Sequence, residues 1–436
     1  MNIVLFVIFV LCIIFTPKKY KKITNPVFTF TFMWAMIMEM AREQVYGLYS
    51  YSPEVMQIIV IGIVFFVLGY VIAYLMRKYT FKFKRKEHRE ITYRLRYNLL
   101  YILAIICMIY YLRYFMQSIL LILQGNNLEV IRRLVQDETS SSPLNDLIIN
   151  FVILPSATAL EVLAVSDFWL GKRDKKLFIM SIIIIIMRII SDAGRTPMVD
   201  FSIYMIIGFL LTHNRKNEKT QKKRWTDLKD RRLARKYGTL GVIILFIMSI
   251  SRTSSTLLRQ VYFYYAMSPV MFTTWKEQVD AKGLITYGIT SLNGYFFSVV
   301  YLLKNMFHLS YPDLLKTSYD MIALTDSSWS AIAQGNIRAN AYVSAFWFFY
   351  TDGRIIGVAL GMFIYGLIVS RAFFKAVNKL DLKKISIYLI LYQGIFFSFI
   401  RFPFAKPYYA LGVLIILLIA FKPVIIRKSL LNDTGR

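Results

Sequence analysis

The sequence predicts an all-α polytopic membrane protein, and three observations support this fold class. The chain of 436 residues is 57% hydrophobic and only 18% charged, with a mean hydropathy of +0.51. Apolar runs of roughly 15–22 residues recur along it, and a helix needs about 20 residues to cross the hydrocarbon core of a bilayer. The basic residues lie mostly in short loops between these runs. A soluble domain of this size would carry more charge and fewer apolar residues.

Eleven of the apolar runs are predicted to be membrane spans. The first, "MNIVLFVIFVLCIIF", lacks a basic n-region and an A-x-A cleavage site, so we interpret it as a retained helix. The spans cover approximately residues 2–16, 26–41, 55–76, 98–118, 148–170, 177–191, 198–212, 238–252, 354–374, 385–402 and 408–426. The chain 1–436 is therefore interpreted as one integral membrane domain.

The basic loops fall on one side of the predicted membrane, and this predicts the orientation. Runs such as "PKKYKK" after the first span and the stretch 213–237 after the seventh are rich in Lys and Arg, whereas the alternate loops hold few. The positive-inside rule places these loops in the cytoplasm and the N-terminus outside. They also account for the net charge of +28 and would attract anionic inner-leaflet lipid. Nucleic-acid binding is not expected, because no soluble domain is large enough to hold a reader module.

One predicted outer segment is long and is expected to be ordered and partly helical. Residues 253–353 are rich in Tyr, Phe and Trp, a composition that does not suit an unstructured linker. Two of its stretches, 286–308 and 340–350, are apolar enough to enter the bilayer. Whether 286–308 crosses it stays open, because a pair of extra spans would leave the orientation unchanged. Long ordered loops usually carry function.

The stretch "SDAGRTPMVD" places charge at the tip between two apolar spans. Arg188, Asp192 and Arg195 are spaced i, i+4 and i+7, so they share one face if the first helix continues to its end. Thr196 and Pro197 then begin the next helix, whose free N–H groups point outward. With the guanidinium of Arg195 they form a candidate anion site. In the alternative interpretation, Arg188 and Asp192 neutralise each other and Arg195 only reaches the lipid headgroups.

Further charged and aromatic residues gather on the predicted outer side, against the positive-inside trend. Asp352 is a candidate N-cap, and Arg354 lies in the first turn of the ninth span. The other candidate substrate-binding residues are Arg252, Arg259, Arg338, Arg401, Tyr264, Tyr265 and Tyr342. An anionic, lipid-linked substrate would explain the excess of arginine. The aromatic residues suit an interface belt or stacking platforms for sugar rings, and both interpretations stay open.

Several other chemistries are not expected from this sequence. It contains no G-x-x-x-x-G-K-[ST] phosphate loop and no G-x-G-x-x-G motif, which argues against an ATP motor or a dinucleotide enzyme. It has no D-x-D pair for a metal–nucleotide complex, and of its three histidines only His308 lies on the outer side. Cys12 and Cys107 both lie inside apolar runs. We therefore expect no metal centre, no cofactor and no disulfide framework.

Three stretches resemble the bacterial oligosaccharide repeat-unit polymerases, the Wzy-type O-antigen and capsule polymerases. "DAGRTP" (192–197) resembles the small-small-Arg-Ser/Thr turn of that family. "RQVYFYYAMSPVMF" (259–272) is similar to its Tyr-rich segment, and "NAYVSAFWFFYTDGRIIGVALGMFIYGLIVS" (340–370) to its Asn-x-Tyr…Asp…Gly run. The likeness covers roughly residues 185–375 in matching order and side, whereas the first 170 residues match only in hydropathy. The family more often has Gly-Gly before the arginine that corresponds to Arg195.

The resemblance implies a glycosyltransferase that moves a growing glycan from undecaprenyl diphosphate onto the next lipid-linked repeat unit. The reaction would take place at the outer leaflet of the bacterial cytoplasmic membrane, in a GT-C-like fold, without nucleotide sugar or metal. A polysaccharide chain-length regulator is the implied protein partner. Arg195 would stabilise the leaving diphosphate. Asp192, Asp352 and His308 are the open candidates for the base that accepts the acceptor proton.

Two alternative functions remain at this point. An O-antigen ligase-like enzyme would share the fold and differ in its acceptor. A lipid-linked oligosaccharide flippase would perform no chemistry, and we would expect its polar residues near the membrane midplane rather than at the outer rim.

Overall fold

A computed structural model describes residues 2–80, 89–126, 143–191, 194, 196–213 and 257–427, and the statements below concern those residues. The predicted span 238–252 and the candidate site residues Asp192, Arg195 and Arg252 lie outside them. The described part is mostly helical, as predicted, and it also contains two small antiparallel sheets that an all-α prediction does not include.

The first half of the chain forms helices because apolar segments in lipid must satisfy their backbone groups internally. These helices are α1 (Asn2–Phe15), α2 (Pro26–Glu43), α3 (Pro53–Thr80), α4 (Tyr97–Leu123), α5 (Pro143–Ile148), α6 (Leu154–Leu170), α7 (Lys175–Ser191) and α8 (Thr196–His213). A π-helical turn, Ile149–Ile153, joins α5 to α6 just before Pro155, whose ring and missing N–H disfavour regular helix there.

The second half combines helices with short strands. Its helices are α9 (Leu257–Ala281), α10 (Asn293–Phe307), α11 (Asp313–Ser327), α12 (Ser344–Asn378), α13 (Leu382–Phe396) and α14 (Pro407–Leu414), which continues into a π-helical turn at Ile415–Ile419. The strands among the described residues are β1 (Arg89–Leu95), β2 (Ser330–Ala333), β3 (Ile337–Ala339) and β4 (Phe421–Arg427). The described part of the long segment 253–353 is thus partly helical, as predicted.

Four helices among the described residues are long and apolar enough to cross a membrane. They cover Pro53–Lys78, Tyr97–Leu123, Leu144–Leu170 and Ser344–Asn378. Shorter apolar helices cover Ile3–Phe15, Thr196–Thr212 and Pro407–Ile419. By length and composition, the chain therefore has the helices of a membrane protein, and the prediction of eleven spans is met only in part.

The predicted span 408–426 is wrong at its C-terminal end. Residues Phe421–Arg427 form β4, which pairs antiparallel with β1 so that Phe421 lies opposite Leu95. Both strands are rich in β-branched and aromatic residues, which favour extended backbone once a partner strand is available. The predicted span 385–402 also ends early, since α13 stops at Phe396.

The start predicted for the ninth span, 354–374, coincides with a break in α12. Two helical pieces are joined at Gly353 and Arg354, whose backbone angles are not helical, and the first piece begins ten residues earlier, at Ser344. Arg354 has φ of 56°, in a region that a residue with a Cβ rarely adopts. The charged positions near 352–354 therefore lie where one helical piece ends and the next begins.

Close glycine contacts define the packing of α3 against α12. A Cβ on Gly69 would lie 2.3 Å from the carbonyl oxygen of Phe363, and one on Gly366 would lie 2.4 Å from that of Phe66. Small residues of this kind let two helix backbones approach closely inside a membrane. On another side of the bundle, α6 packs against α7, α8, α13 and α14, and this arrangement positions the polar residues described next.

Candidate functional site

A buried ion pair joins α6 to the last turn of α7. The Nη1 of Arg188 donates to the Oε1 of Glu161 at 2.6 Å, and both side chains are buried. Sequence analysis considered only Asp192 as a partner for Arg188, and Asp192 lies outside the described residues. Glu161 lies within the apolar helix α6, where a carboxylate is costly unless it is paired.

A second buried carboxylate, Asp200, lies in the second turn of α8. The Nε2 of Gln393 on α13 donates to its Oδ1 at 2.7 Å, and both residues are only 7% exposed. The Oε1 of Gln393 has no hydrogen-bond partner among the described residues. Asp200 is close enough to Glu161 and Arg188 to interact electrostatically with both. Two carboxylates and one guanidinium are thus gathered inside an apolar bundle.

Arg188 and Asp200 lie near the ends of α7 and α8 that are adjacent in the sequence. Arg188 is three residues before the end of α7 at Ser191, and Asp200 is four residues after the start of α8 at Thr196. Four residues are about 6 Å along a helix, so both buried charges lie close to these helix ends and not at the middle of the helices.

A group of cations surrounds Asp326 at the C-terminal end of α11. Lys406 donates to its Oδ2 at 2.6 Å, Arg401 donates to the same oxygen at 3.1 Å, and a second Arg401 nitrogen contacts Oδ1. Burial raises the pKa of Asp326, but the hydrogen bonds and charges of Arg401 and Lys406 bring it below its ordinary value. Two cations share one carboxylate, so the group carries a net positive charge.

Helix α10 packs closely against the turn that contains Lys406. A Cβ on Gly294 would lie 2.6 Å from the carbonyl oxygens of Phe404 and Lys406, so only glycine allows this approach. The Nδ2 of Asn293 donates to the carbonyl of Ala405 at 3.3 Å. Burial, reinforced by the charge of Arg401 and opposed by Asp326, lowers the pKa of Lys406 to about 8. Lys406 therefore begins to lose its charge near physiological pH.

Tyr408 connects the buried charges with the cations. It lies half-buried in the first turn of α14, within electrostatic reach of Asp200, Arg188, Arg401 and Asp326. We refer to the two groups, together with Tyr408, as the polar site. It comprises Glu161, Arg188, Asp200, Asp326, Gln393, Arg401, Lys406 and Tyr408.

Aromatic residues border the polar site on the Arg401 side. Tyr342 lies within electrostatic reach of Arg401, and its ring centroid is 5.9 Å from that of Tyr264. Tyr265 and Tyr342 each contact the ring of Phe399, at 5.0 and 6.1 Å between centroids. The structure thus brings together three predicted tyrosines and Arg401, as required of a platform beside a cation.

Asp352 lies outside the polar site, and its predicted role as an N-cap of the ninth span is wrong. Its carboxylate accepts hydrogen bonds from the hydroxyl of Thr286 at 2.6 Å, the N–H of Thr290 at 2.9 Å and the N–H of Ser291 at 3.1 Å. Both carboxylate oxygens therefore hold the 286–291 turn against α12. Asp352 thereby stabilises the turn that leads into the N-terminus of α10.

Arg354 belongs to a separate group of charges near Asp352. One of its nitrogens contacts Asp280, and another donates to the carbonyl of Val279 at 3.2 Å. Asp280 also accepts from Lys276 and from the hydroxyl of Tyr350, each at 2.8 Å. Burial alone would raise the pKa of Asp280, but these partners bring it below its ordinary value.

The remaining predicted residues are scattered. Arg338 is exposed on β3 and donates to Asn336 of its own hairpin at 3.0 Å, and Arg259 lies over the ring of Phe263 at 5.7 Å. His308 is exposed just after α10, and none of the hydrogen bonds among the described residues joins it to the polar site. No group of three or more metal-ligating side chains occurs within the described ranges.

Sequence analysis missed Glu161, Asp200 and Gln393. A signal for the two carboxylates was present, because both lie inside apolar runs, "ALEVLAV" and "PMVDFSIY", where ionisable residues generally indicate function. Gln393 gave no comparable signal, because amide side chains inside spans are common and do not by themselves indicate function. Comparison of the chain with protein-family models, curated proteins and solved structures finds no match.

Proposed function

We propose that this protein polymerises undecaprenyl-diphosphate-linked oligosaccharide repeat units into a surface polysaccharide. The observation that carries the proposal is the polar site, in which cations and buried carboxylates are gathered beside a border of tyrosines. Such a site offers fixed positive charge to an anionic leaving group and a buried acceptor for a proton. The resemblance of "DAGRTP" to the polymerase turn supports the same function.

In the proposed reaction, a hydroxyl of the acceptor sugar attacks the anomeric carbon of the donor glycan. The bond from that carbon to the diphosphate oxygen breaks, and the diphosphate leaves with the electron pair. Arg195, Arg401 and Lys406 stabilise the negative charge that develops on it. The hydroxyl proton moves to Asp200, whose carboxylate has a single hydrogen-bond donor among the described residues. No metal is required, because the side chains supply the positive charge.

We further propose a GT-C-like arrangement with eleven spans, in the bacterial cytoplasmic membrane, with the polar site facing outward. The asymmetry of Lys and Arg between alternate loops supports this orientation. Single-cysteine labelling of intact cells tests it: a membrane-impermeant reagent should label Ser327→Cys and spare Lys222→Cys. The reverse pattern would overturn the orientation.

The depth of the polar site favours an enzyme over a flippase. A transporter is expected to bind its cargo near the membrane midplane. Arg188 and Asp200 instead lie within about 6 Å of the ends of their helices, at Ser191 and Thr196. A ligase-like transfer to a different acceptor would use the same donor chemistry and remains the alternative.

Glycan length in a strain that lacks the protein tests the proposed function. Loss of a polymerase should leave single repeat units on their lipid carrier or on the final acceptor. Loss of a ligase should leave long polymer on the lipid carrier, and loss of a flippase should trap single units on the cytoplasmic side. Either of the last two patterns would contradict the proposal.

A further inference from the structure

A long apolar groove runs along the side of the bundle and reaches the aromatic border of the polar site at Tyr265. Its volume is about 800 Å³, and side chains of α1, α2, α9 and α13 line it. Apolar residues dominate the lining, among them Phe9, Ile13, Phe32, Met36 and Phe396. Phe32 and Met36 are 44% and 43% exposed, so the groove is open to its surroundings.

The length of the groove suits the chains of one lipid leaflet. Its lining follows α2 from Phe28 to Met40, twelve residues or about 18 Å along a helix. Half of a hydrocarbon core that is about 30 Å thick is about 15 Å. A membrane-spanning helix of a protein partner would need a groove about twice as long. The dimensions therefore favour lipid chains as the occupant.

Among the described residues that line this groove, charged side chains are present at only one end. Lys21 and Lys22 line the end near the N-terminus of α2, whereas Met40 and Tyr265 line the other end, and neither is charged at neutral pH. The two polar groups between them, Thr29 and Tyr392, share a hydrogen bond of 2.8 Å and so satisfy each other. A ligand that fills the groove would place an anionic group at the lysine end.

The lysine end lies on the predicted cytoplasmic face. The basic loop "PKKYKK" that contains Lys21 and Lys22 follows the first span, and the positive-inside rule places it inside. A lipid-linked donor in the outer leaflet would have its diphosphate at the opposite end, where the described residues of the lining include no cation. Charge and position both favour a lipid of the inner leaflet.

We propose that this groove binds an anionic glycerophospholipid of the cytoplasmic leaflet. Its phosphate lies at Lys21 and Lys22, and its acyl chains follow α2 towards Met40. This binding site goes beyond the proposed glycan transfer and does not depend on it.

Native mass spectrometry of the purified, delipidated full-length protein tests the proposal. The protein is mixed with equal amounts of phosphatidylglycerol and phosphatidylcholine that carry the same chains. We expect preferential retention of phosphatidylglycerol. Reversing both charges in Lys21→Glu/Lys22→Glu should lower that preference by at least about tenfold, because each basic residue near an anionic headgroup contributes substantially to binding.

The matched control is Lys18→Glu/Lys19→Glu, which makes the same change of charge in the same loop outside the groove lining. It should retain most of the preference. An equal loss in both double variants would mean that general surface charge attracts the lipid, and that result would overturn the proposal. Retention of both lipids to the same extent by the unchanged protein would overturn it as well.

A second pair of variants tests the groove itself. Met36→Trp fills part of the groove and should weaken retention of phosphatidylglycerol, whereas Leu68→Trp, at a similarly exposed position on α3, should not. Thermal unfolding of each variant confirms that it is folded. Stronger retention of undecaprenyl phosphate than of phosphatidylglycerol, lost in Met36→Trp, would assign the groove to the donor lipid and contradict our proposal. Because no glycan transfer is measured, failure here leaves the proposed function untouched.

Discussion

Asp200 and Asp352 are equally buried, yet their surroundings differ. Each is 7% exposed. Asp352 accepts three hydrogen bonds from Thr286, Thr290 and Ser291, so both of its oxygens are occupied. Among the described residues, Asp200 accepts one, from Gln393, and it lies within electrostatic range of a second carboxylate, Glu161. Equal burial therefore does not mean equal surroundings, and the smaller number of donors around Asp200 is the reason for proposing it, rather than Asp352, as the base.

The balance between cations and carboxylates also differs, here between the group around Asp280 and the group around Asp326. Around Asp280, the two cations Lys276 and Arg354 face two carboxylates, because Lys276 also pairs with Glu54 at 2.6 Å. That group is neutral. Around Asp326, the two cations Arg401 and Lys406 share one carboxylate. The excess positive charge is therefore local to the group around Asp326, because the whole polar site holds three cations and three carboxylates.

The largest expected effect is the difference in polymerisation rate between variants of the two aspartates. Asp200→Asn should lower the rate of polymerisation by about 10²–10⁴, the usual contribution of a positioned general base. Asp352→Asn should act mainly on folding, because it removes a charged acceptor from three donors that hold the 286–291 turn. Polymer formed per unit of folded protein, measured at matched membrane levels, checks both expectations.

Glu161→Gln provides the control for a general loss of buried charge near Asp200. It should destabilise the protein by leaving Arg188 with an uncharged partner, but it should not change which group accepts the proton. If Asp352→Asn loses activity at unchanged protein level and Asp200→Asn keeps it, the roles of the two aspartates are reversed.

The sequence predicted much of the helical framework and less of the site. Hydropathy located 26–41 and 98–118 within a few residues of α2 and α4, because an apolar run long enough for lipid has few other structures open to it. It misassigned 421–426, since a short strand depends on a partner more than 300 residues away. The roles of Asp352 and Arg354 were missed for the same reason: their partners lie 61 to 75 positions earlier in the chain.

A smaller effect is expected at Arg195, which lies between α7 and α8 in the sequence. Arg195→Ala should lower the rate of polymerisation by about 10²–10³, the typical cost of removing one preorganised donor to developing charge. Arg195→Lys should recover only part of this loss, because a point charge replaces a guanidinium that can bind two oxygens. Polymer length and amount at matched protein levels measure both effects.

Arg354→Ala and Arg354→Lys are the comparison for that series, since Arg354 is committed to Asp280 and Val279. They should alter stability more than rate. Full activity in Arg195→Lys would mean that Arg195 acts through its positive charge alone. Wild-type polymer from Arg195→Ala would mean that Arg195 has no part in the mechanism.

The pH dependence should reveal the charge of Lys406. If its charge assists the leaving group, kcat/KM should fall as pH rises through about 8, the pKa that burial gives Lys406. Lys406→Arg should extend activity to higher pH, because a guanidinium stays charged. Stability should move in the opposite direction. Between about 8 and the ordinary lysine value, the folded protein binds fewer protons, so the Lys406 contribution to the free energy of unfolding grows with pH. A parallel fall of activity and stability would indicate alkaline unfolding instead.

Chelation should have the smallest effect, and it tests whether side chains alone supply the positive charge of the polar site. Arg195, Arg401 and Lys406 are proposed to do for the diphosphate what a divalent cation does in enzymes that use one. Polymerisation by the protein in liposomes should therefore be the same with and without EDTA. The control is a metal-dependent glycosyltransferase in the same liposomes, which should lose its activity. Complete loss of polymerisation in EDTA, restored by Mg²⁺ or Mn²⁺, would show that a metal ion carries the role assigned to these cations. The net charge around Asp326 would then no longer distinguish the polar site from the neutral group around Asp280.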